Sequence, residues 1–106
     1  MKIPKSVRIG GIEYKVIKED RLNDGEKMLA GQIRYIPGEI AIDTCLGHDQ
    51  QCLTLWHEIM HGIEDEMQLK LGDMQEQVID AFARGVYQVL QDNGDRFFDI
   101  SKKKGE

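Results

Sequence analysis

His57-Glu58-Ile59-Met60-His61 sets two imidazoles and one carboxylate in an H-E-x-x-H spacing. On a helix, residues four apart lie on one face, one turn from each other. Imidazole nitrogens so placed can hold a single zinc ion at about 2.0–2.1 Å. Glu58 stands beside the first of them, where it reaches a water on the metal rather than the metal itself. The chemistry this implies is hydrolysis: neutral ligands, a general base and an open coordination position. Without a metal, the same two histidines would be ordinary helix residues, hydrogen-bonded or solvated.

A catalytic zinc takes a third protein ligand. His48, nine residues before His57, is the only other histidine. It falls at a loop or helix start, which makes it a weak ligand candidate, so the search passes to carboxylates. Glu76 and Asp80 are four apart and share a face near the start of a second helix. Glu76 has the longer reach and is the candidate metal ligand. Asp80 is the candidate acceptor behind a ligand histidine, fixing its tautomer and orientation. The developing oxyanion needs a donor besides the metal. Tyr35 heads the candidates, with Tyr87, Arg34 and His48 left open by spacing alone. Tyr14 and Tyr87 read better as core residues with a polar tip.

The elements that must position these groups follow from periodicity. Ser6–Ile9 and Ile12–Ile17 are strand-like and are joined by Gly10-Gly11, a tight hairpin turn. Residues 20–30, with Asn23-Asp24-Gly25, form a loop. Residues 32–36 and 39–43 read as two further strands around Pro37-Gly38. Together they predict a small antiparallel sheet of three or four strands over residues 1–44. The motif helix should run from Asp49, its N-cap or first-turn acid, to about Leu69. Leu53, Trp56, Met60, Ile63 and Met67 recur at helical steps, and Cys52, Leu55 and Ile59 widen that surface. Gly62 inside the helix implies close packing beside the metal site. Gly72 reads as a stop and Asp73 as the next cap. A second helix follows over 74–91, with Val78, Phe82, Val86 and Val89 as its stripe and Ile79, Ala83 and Leu90 alongside. Asp92-Asn93-Gly94 should end it. The helical part thus covers 49–92, and residues 96–106 form a tail in which Phe97, Phe98 and Ile100 can pack back.

Length and composition set the class. A chain of 106 residues is one domain with a small core. With 41% hydrophobic and 31% charged residues it is globular, and no apolar run is long enough for a bilayer. No leader-like segment opens the sequence, so a cytoplasmic protein is the expectation. A formal charge of −5 argues against nucleic-acid binding. The one basic run, Lys102-Lys103-Lys104, reads as a solvated tail. Cys45 and Cys52 make no C-x-x-C, and no disulfide framework is expected of them.

The combination of His57-Glu58-Ile-Met-His61 with Glu76-Gln-Val-Ile-Asp80 resembles the gluzincin pattern, in which a downstream helix supplies E-x-x-x-D. The whole chain is similar to the small phage and prophage zincin-like metallopeptidases related to the ImmA/IrrE group. The similarity runs through Lys5–Tyr14, Gly31–Tyr35, the motif helix and Ala81–Leu90. It implies a minimal α+β zincin-like fold: a short sheet on an active-site helix, with a second, C-terminal helix bringing Glu76. It also implies one zinc per chain and an extended substrate along the sheet's edge, for which 32–36 is the candidate strand. The substrate would be a peptide or protein, in the related group a repressor-like one. The competing expectation is a zinc-stabilised, non-catalytic binding module, closed by a fourth ligand from Asp80 or His48.

Overall fold

In the computed structural model of the chain, residues 1–98 are described. Ile100 and Lys102-Lys103-Lys104 lie outside them. Four strands, β1 (Ser6–Ile9), β2 (Ile12–Glu19), β3 (Gly31–Arg34) and β4 (Glu39–Asp43), precede two helices, α1 (His48–Glu66) and α2 (Gln75–Phe97). The class is α+β, as the periodicities predict.

The β1–β2 hairpin turns on Gly10 and Gly11, whose φ values of 58° and 84° both lie in the left-handed region. That pair is what a two-residue hairpin with the strands' own twist requires. The expectation of an antiparallel sheet needs correction, because the sheet is mixed. Its order is β1-β2-β4-β3, with β2 parallel to β4 and the other two pairs antiparallel. The cause is burial. Ile40, Ala41 and Ile42 of β4 are all fully buried, so β4 must occupy the interior of the sheet. Its hairpin partner β3, partly exposed throughout, is left at the edge. Arg34 on β3 locks this order by forking onto Glu19 of β2 at 3.0 Å from both carboxylate oxygens, with Glu39 of β4 at 3.3 Å.

α1 packs against β1, β3 and β4 on one side and α2 on the other. Ile9, Tyr14, Ile40, Ile42 and Leu55 form the buried cluster, with Ile33, Ile59 and Ile63 against it. The face of α1 in the core is therefore Cys52, Leu55, Ile59 and Gly62. Leu53, Trp56 and Met60 are only partly buried and Met67 is exposed, so the expected main stripe is shifted around the helix. Gly62 is explained by the sheet, not the metal site: a Cβ there would stand 2.8 Å from Ile9 Cδ1 and 3.1 Å from Ile33 Cδ1.

α1 also starts and stops differently from the expectation. Its N-cap is Gly47, and Asp49 takes the alternative first-turn position. The stop is Gln68, at φ 55°, rather than Gly72. Leu69 N–H bonds Glu64 O at 3.0 Å and Gln68 N–H bonds Asp65 O at 3.2 Å, the two bonds of a Schellman ending. Residues Gly72–Met74 form one 3-10 turn before α2, and Asp73 makes no side-chain cap to that helix. α2 then runs through Asp92-Asn93-Gly94 to Phe97. Asn93 is helical, and its side-chain amide bonds the Val89 carbonyl at 3.0 Å, within the helix. The buried positions of α2 are Ile79 and Ala83, while Phe82 is 63% exposed and Val89 41%. The expected stripe is thus displaced by one residue, onto the positions named as its neighbours. Phe97 and Phe98 pack on each other and remain mostly exposed. Among the described residues, no helix is long and apolar enough to cross a membrane.

Candidate metal centre

The site forms where α1 faces the first turn of α2. His57 and His61 project together from α1 with ring centroids 5.0 Å apart. Glu76, in the first turn of α2, reaches back between them. Its Oε2 lies 3.4 Å from His57 Nε2 and its Oε1 lies 3.0 Å from His61 Nε2. The ligand atoms of these three residues all fall within 4.8 Å of one another. Two imidazoles and a carboxylate converging by those atoms form a donor set suited to a divalent first-row metal such as zinc.

Both rings turn Nε2 inward and Nδ1 outward. His57 Nδ1 lies 3.8 Å from Asp80 Oδ1, and Asp80 also accepts from Arg84 Nε at 3.0 Å. Asp80 therefore lies on the Nδ1 side of His57, at a separation longer than a hydrogen bond. His61 has a counterpart that spacing did not single out. Its Nδ1 lies 3.7 Å from Glu64 Oε1, and Gln75 Nε2 donates to that same oxygen at 2.7 Å. The available signal was an acid three residues after the second histidine, on the same helix face.

Glu58 is buried, 7% exposed, on the side of α1 that meets β3. Burial pushes its carboxyl above the usual carboxylate range, while His57, His61 and the backbone N–H of Ile33 pull the other way. β3 is an edge strand, so one side of its backbone is left unpaired by β4. Gly31 makes the approach of β3 to Glu58 feasible, since a Cβ there would stand 3.2 Å from Glu58 Cγ and 2.4 Å from Thr54 Cγ2.

A groove of about 720 Å³ runs along this edge, with Gly31, Ile33 and Tyr35 on one wall and Leu53, Asp80 and Arg84 among those opposite. Of the four oxyanion-donor candidates, Tyr35 alone lines it. Its hydroxyl donates to the His61 carbonyl at 3.2 Å, and burial pushes its pKa up to about 12. Arg34 is committed to Glu19 and Glu39. Tyr87 donates to Asp49 at 3.2 Å. His48 Nε2 lies 2.8 Å from the Met1 carbonyl, about 13 Å along α1 from His57 by helical rise. That position also removes His48 as a ligand of the same metal.

Among the described residues, one other group of potential ligand atoms, Asp20, Asp43 and Cys45, gathers where β2 and β4 end. Asp43 is already engaged by the Cys45 backbone N–H at 2.9 Å, and Cys45 Sγ donates to Asp20 at 3.5 Å, so these groups satisfy one another. Cys45 and Cys52 are both free thiols.

Compared with family models, curated proteins and solved structures, the chain matches none. What the fold and site define is an α+β domain of one mixed sheet and two helices, with a two-histidine, one-carboxylate cluster at the helix junction. A buried glutamate lies beside that cluster, on a groove along an edge strand.

Proposed function

We propose that the chain is a minimal zincin-like peptidase of gluzincin type, hydrolysing an extended peptide or protein segment. The observation that carries this reading is the convergence of His57 Nε2, His61 Nε2 and the Glu76 carboxylate beside buried Glu58, on a groove bordered by β3. Zinc bound by those three side chains would supply Lewis-acid polarisation of a water and of a carbonyl oxygen.

The remaining work falls to the chain itself. Glu58 accepts the proton of the attacking water and returns it to the leaving amine. Its partial burial suits that exchange, because a raised carboxyl pKa brings it nearer the working pH. Tyr35 keeps its phenolic proton across the neutral range, and to donate to the oxyanion it must turn that proton away from the His61 carbonyl. The edge of β3 can take an extended backbone by β-augmentation, which holds the scissile bond against the α1 face. A repressor-like regulatory protein is the substrate class that the resemblance implies. Two free thiols support a cytoplasmic setting.

The alternative, a zinc-stapled binding module with no reaction, needs a fourth protein ligand. His48 is tied to Met1 elsewhere, and Asp80 sits on the Nδ1 side of His57, away from Glu76. Both observations favour an open position over a closed one.

Elemental analysis and peptide-library hydrolysis test the proposal together. Wild-type protein should hold one zinc per chain and cleave, with cleavage inhibited by a hydroxamate. Glu58→Gln should retain zinc and lose about 10²–10⁴-fold in rate. Full activity in that variant would remove Glu58 as the base. Bound zinc with no cleavage of any library member, and no hydroxamate binding, would favour the stapled module.

A further inference from the structure

We propose that Glu64 is the positioning residue for His61, and that Gln75 holds it in that role across the helix junction. This rests on the metal site proposed above. A neutral imidazole carries one N–H and one lone pair, and the partner of one nitrogen decides what the other can do. His61 faces Glu76 through Nε2 at 3.0 Å, so ligation through that atom needs the proton on Nδ1. The carboxylate oxygen nearest Nδ1 is Glu64 Oε1 at 3.7 Å. That separation exceeds a hydrogen bond, and positioning by Glu64 requires the soft terminal carboxylate torsion to bring an oxygen closer when the metal is bound.

Three features distinguish Glu64 from a solvated helix acid. Its side chain is 11% exposed, whereas the following Asp65 and Glu66 are exposed. It lies one turn after His61 on the same face of α1, so no loop movement separates the two. The oxygen near His61 is also held by Gln75 Nε2 at 2.7 Å, from the first residue of α2. Gln75 is next to Glu76, so one short stretch of α2 supplies both the carboxylate in front of His61 and the amide behind its partner. Tyr35, donating to the His61 carbonyl at 3.2 Å, restrains the same residue from the sheet side. The carboxylate on the Nδ1 side of His57 is more exposed, since Asp80 is half exposed, and it also accepts from Arg84.

The test measures zinc affinity of the full chain by competition with a chromogenic chelator, in wild type, Glu64→Ala and Glu64→Gln. Loss of an acceptor behind a ligand histidine should weaken zinc binding by about 10–100-fold in Glu64→Ala. Glu64→Gln keeps the shape and a neutral acceptor oxygen, so its affinity should fall between the two. If Glu64→Ala does not fold, Glu64→Gln decides alone, with a loss of at least about threefold expected. Nitrogen chemical shifts of His61 supply a readout that packing alone does not move: a protonated Nδ1 and a ligated Nε2 are expected in the zinc form. Affinities within about twofold of wild type in the folded variants, or zinc on Nδ1, would overturn the inference while leaving the metal site intact. Absence of zinc binding in wild type would overturn both, and is distinguished by being seen before any substitution is made.

Discussion

Gly31→Ala isolates the contact that brings the edge strand onto the motif helix. Gly31 does not have a left-handed φ, so the replacement meets a steric barrier only. The new Cβ would stand 2.4 Å from Thr54 Cγ2, with Glu58 Cγ and the Ala41 carbonyl oxygen each at 3.2 Å. Thr54 is buried and β-branched, with few rotamers to escape into. Either β3 or α1 must give way, and overpacking of this kind costs about 1–3 kcal/mol. Reduced freedom of the unfolded chain returns about 0.4–1 kcal/mol of that. The midpoints of those ranges leave a net loss of about 1.3 kcal/mol, which lowers Tm by about 5–10 °C in a domain of this size. Thermal and urea unfolding of Gly31→Ala, Thr54→Ser and the double variant form a cycle, because Thr54→Ser removes the methyl at 2.4 Å. The cycle should show coupling of about 1 kcal/mol, the double variant losing less than the sum. Additive effects, or an unchanged Tm in Gly31→Ala, would refute the packing argument.

Gly62→Ala should be far milder, within about 1 kcal/mol of wild type in the same assay. Its new Cβ is tight only against the Cδ1 ends of Ile9 and Ile33, with Ile9 Cγ2 at ordinary contact distance, and the helix gains about 1 kcal/mol of propensity. Glu76→Ala should weaken zinc binding, measured by chelator competition, while leaving metal-free Tm nearly unchanged, since its side chain is 69% exposed. Asp43→Asn tests a pH dependence. The Cys45 backbone N–H, followed by those of Arg21 and Leu22, holds the Asp43 carboxyl below the ordinary range. Its contribution is present above the unfolded value of about 3.9 and is lost as pH falls through the lower folded value. Urea unfolding across that acid range should show a shallower pH slope in Asp43→Asn, with lower stability at neutral pH. An unchanged slope would remove Asp43 from the acid limb.

Much of the candidate site was legible because helical spacing is a local property. His57, Glu58 and His61 share a helix by sequence alone, and Glu76 with Asp80 share another. Glu64 was missed for a physical reason. An acid in a run of acids reads as solvated until Gln75 and His61 are seen closing over it. The choice among Tyr35, Arg34, Tyr87 and His48 was equally closed to spacing, since each role depends on a partner distant in the chain. Arg34 reads as a free cation until Glu19 and Glu39 are brought to it.

By itself, the sequence determined the local elements. Alternating residues made the strands, Gly10-Gly11 made the hairpin turn, and the 3.6-residue period made the two helices on which the histidines and carboxylates sit. Tertiary structure decided what those elements face. It set β4 inside the sheet and parallel to β2, because three consecutive buried residues need cover that alternation does not specify. It rotated the buried stripes of both helices, because an apolar surface wider than its partner can dock at more than one angle. It ended α1 at Glu66, with Schellman bonds around Gln68, a left-handed residue that is not glycine. Above all it brought Glu76 between His57 and His61, since the angle at which α2 crosses α1 depends on how their facing side chains pack, on the side of α1 away from the sheet.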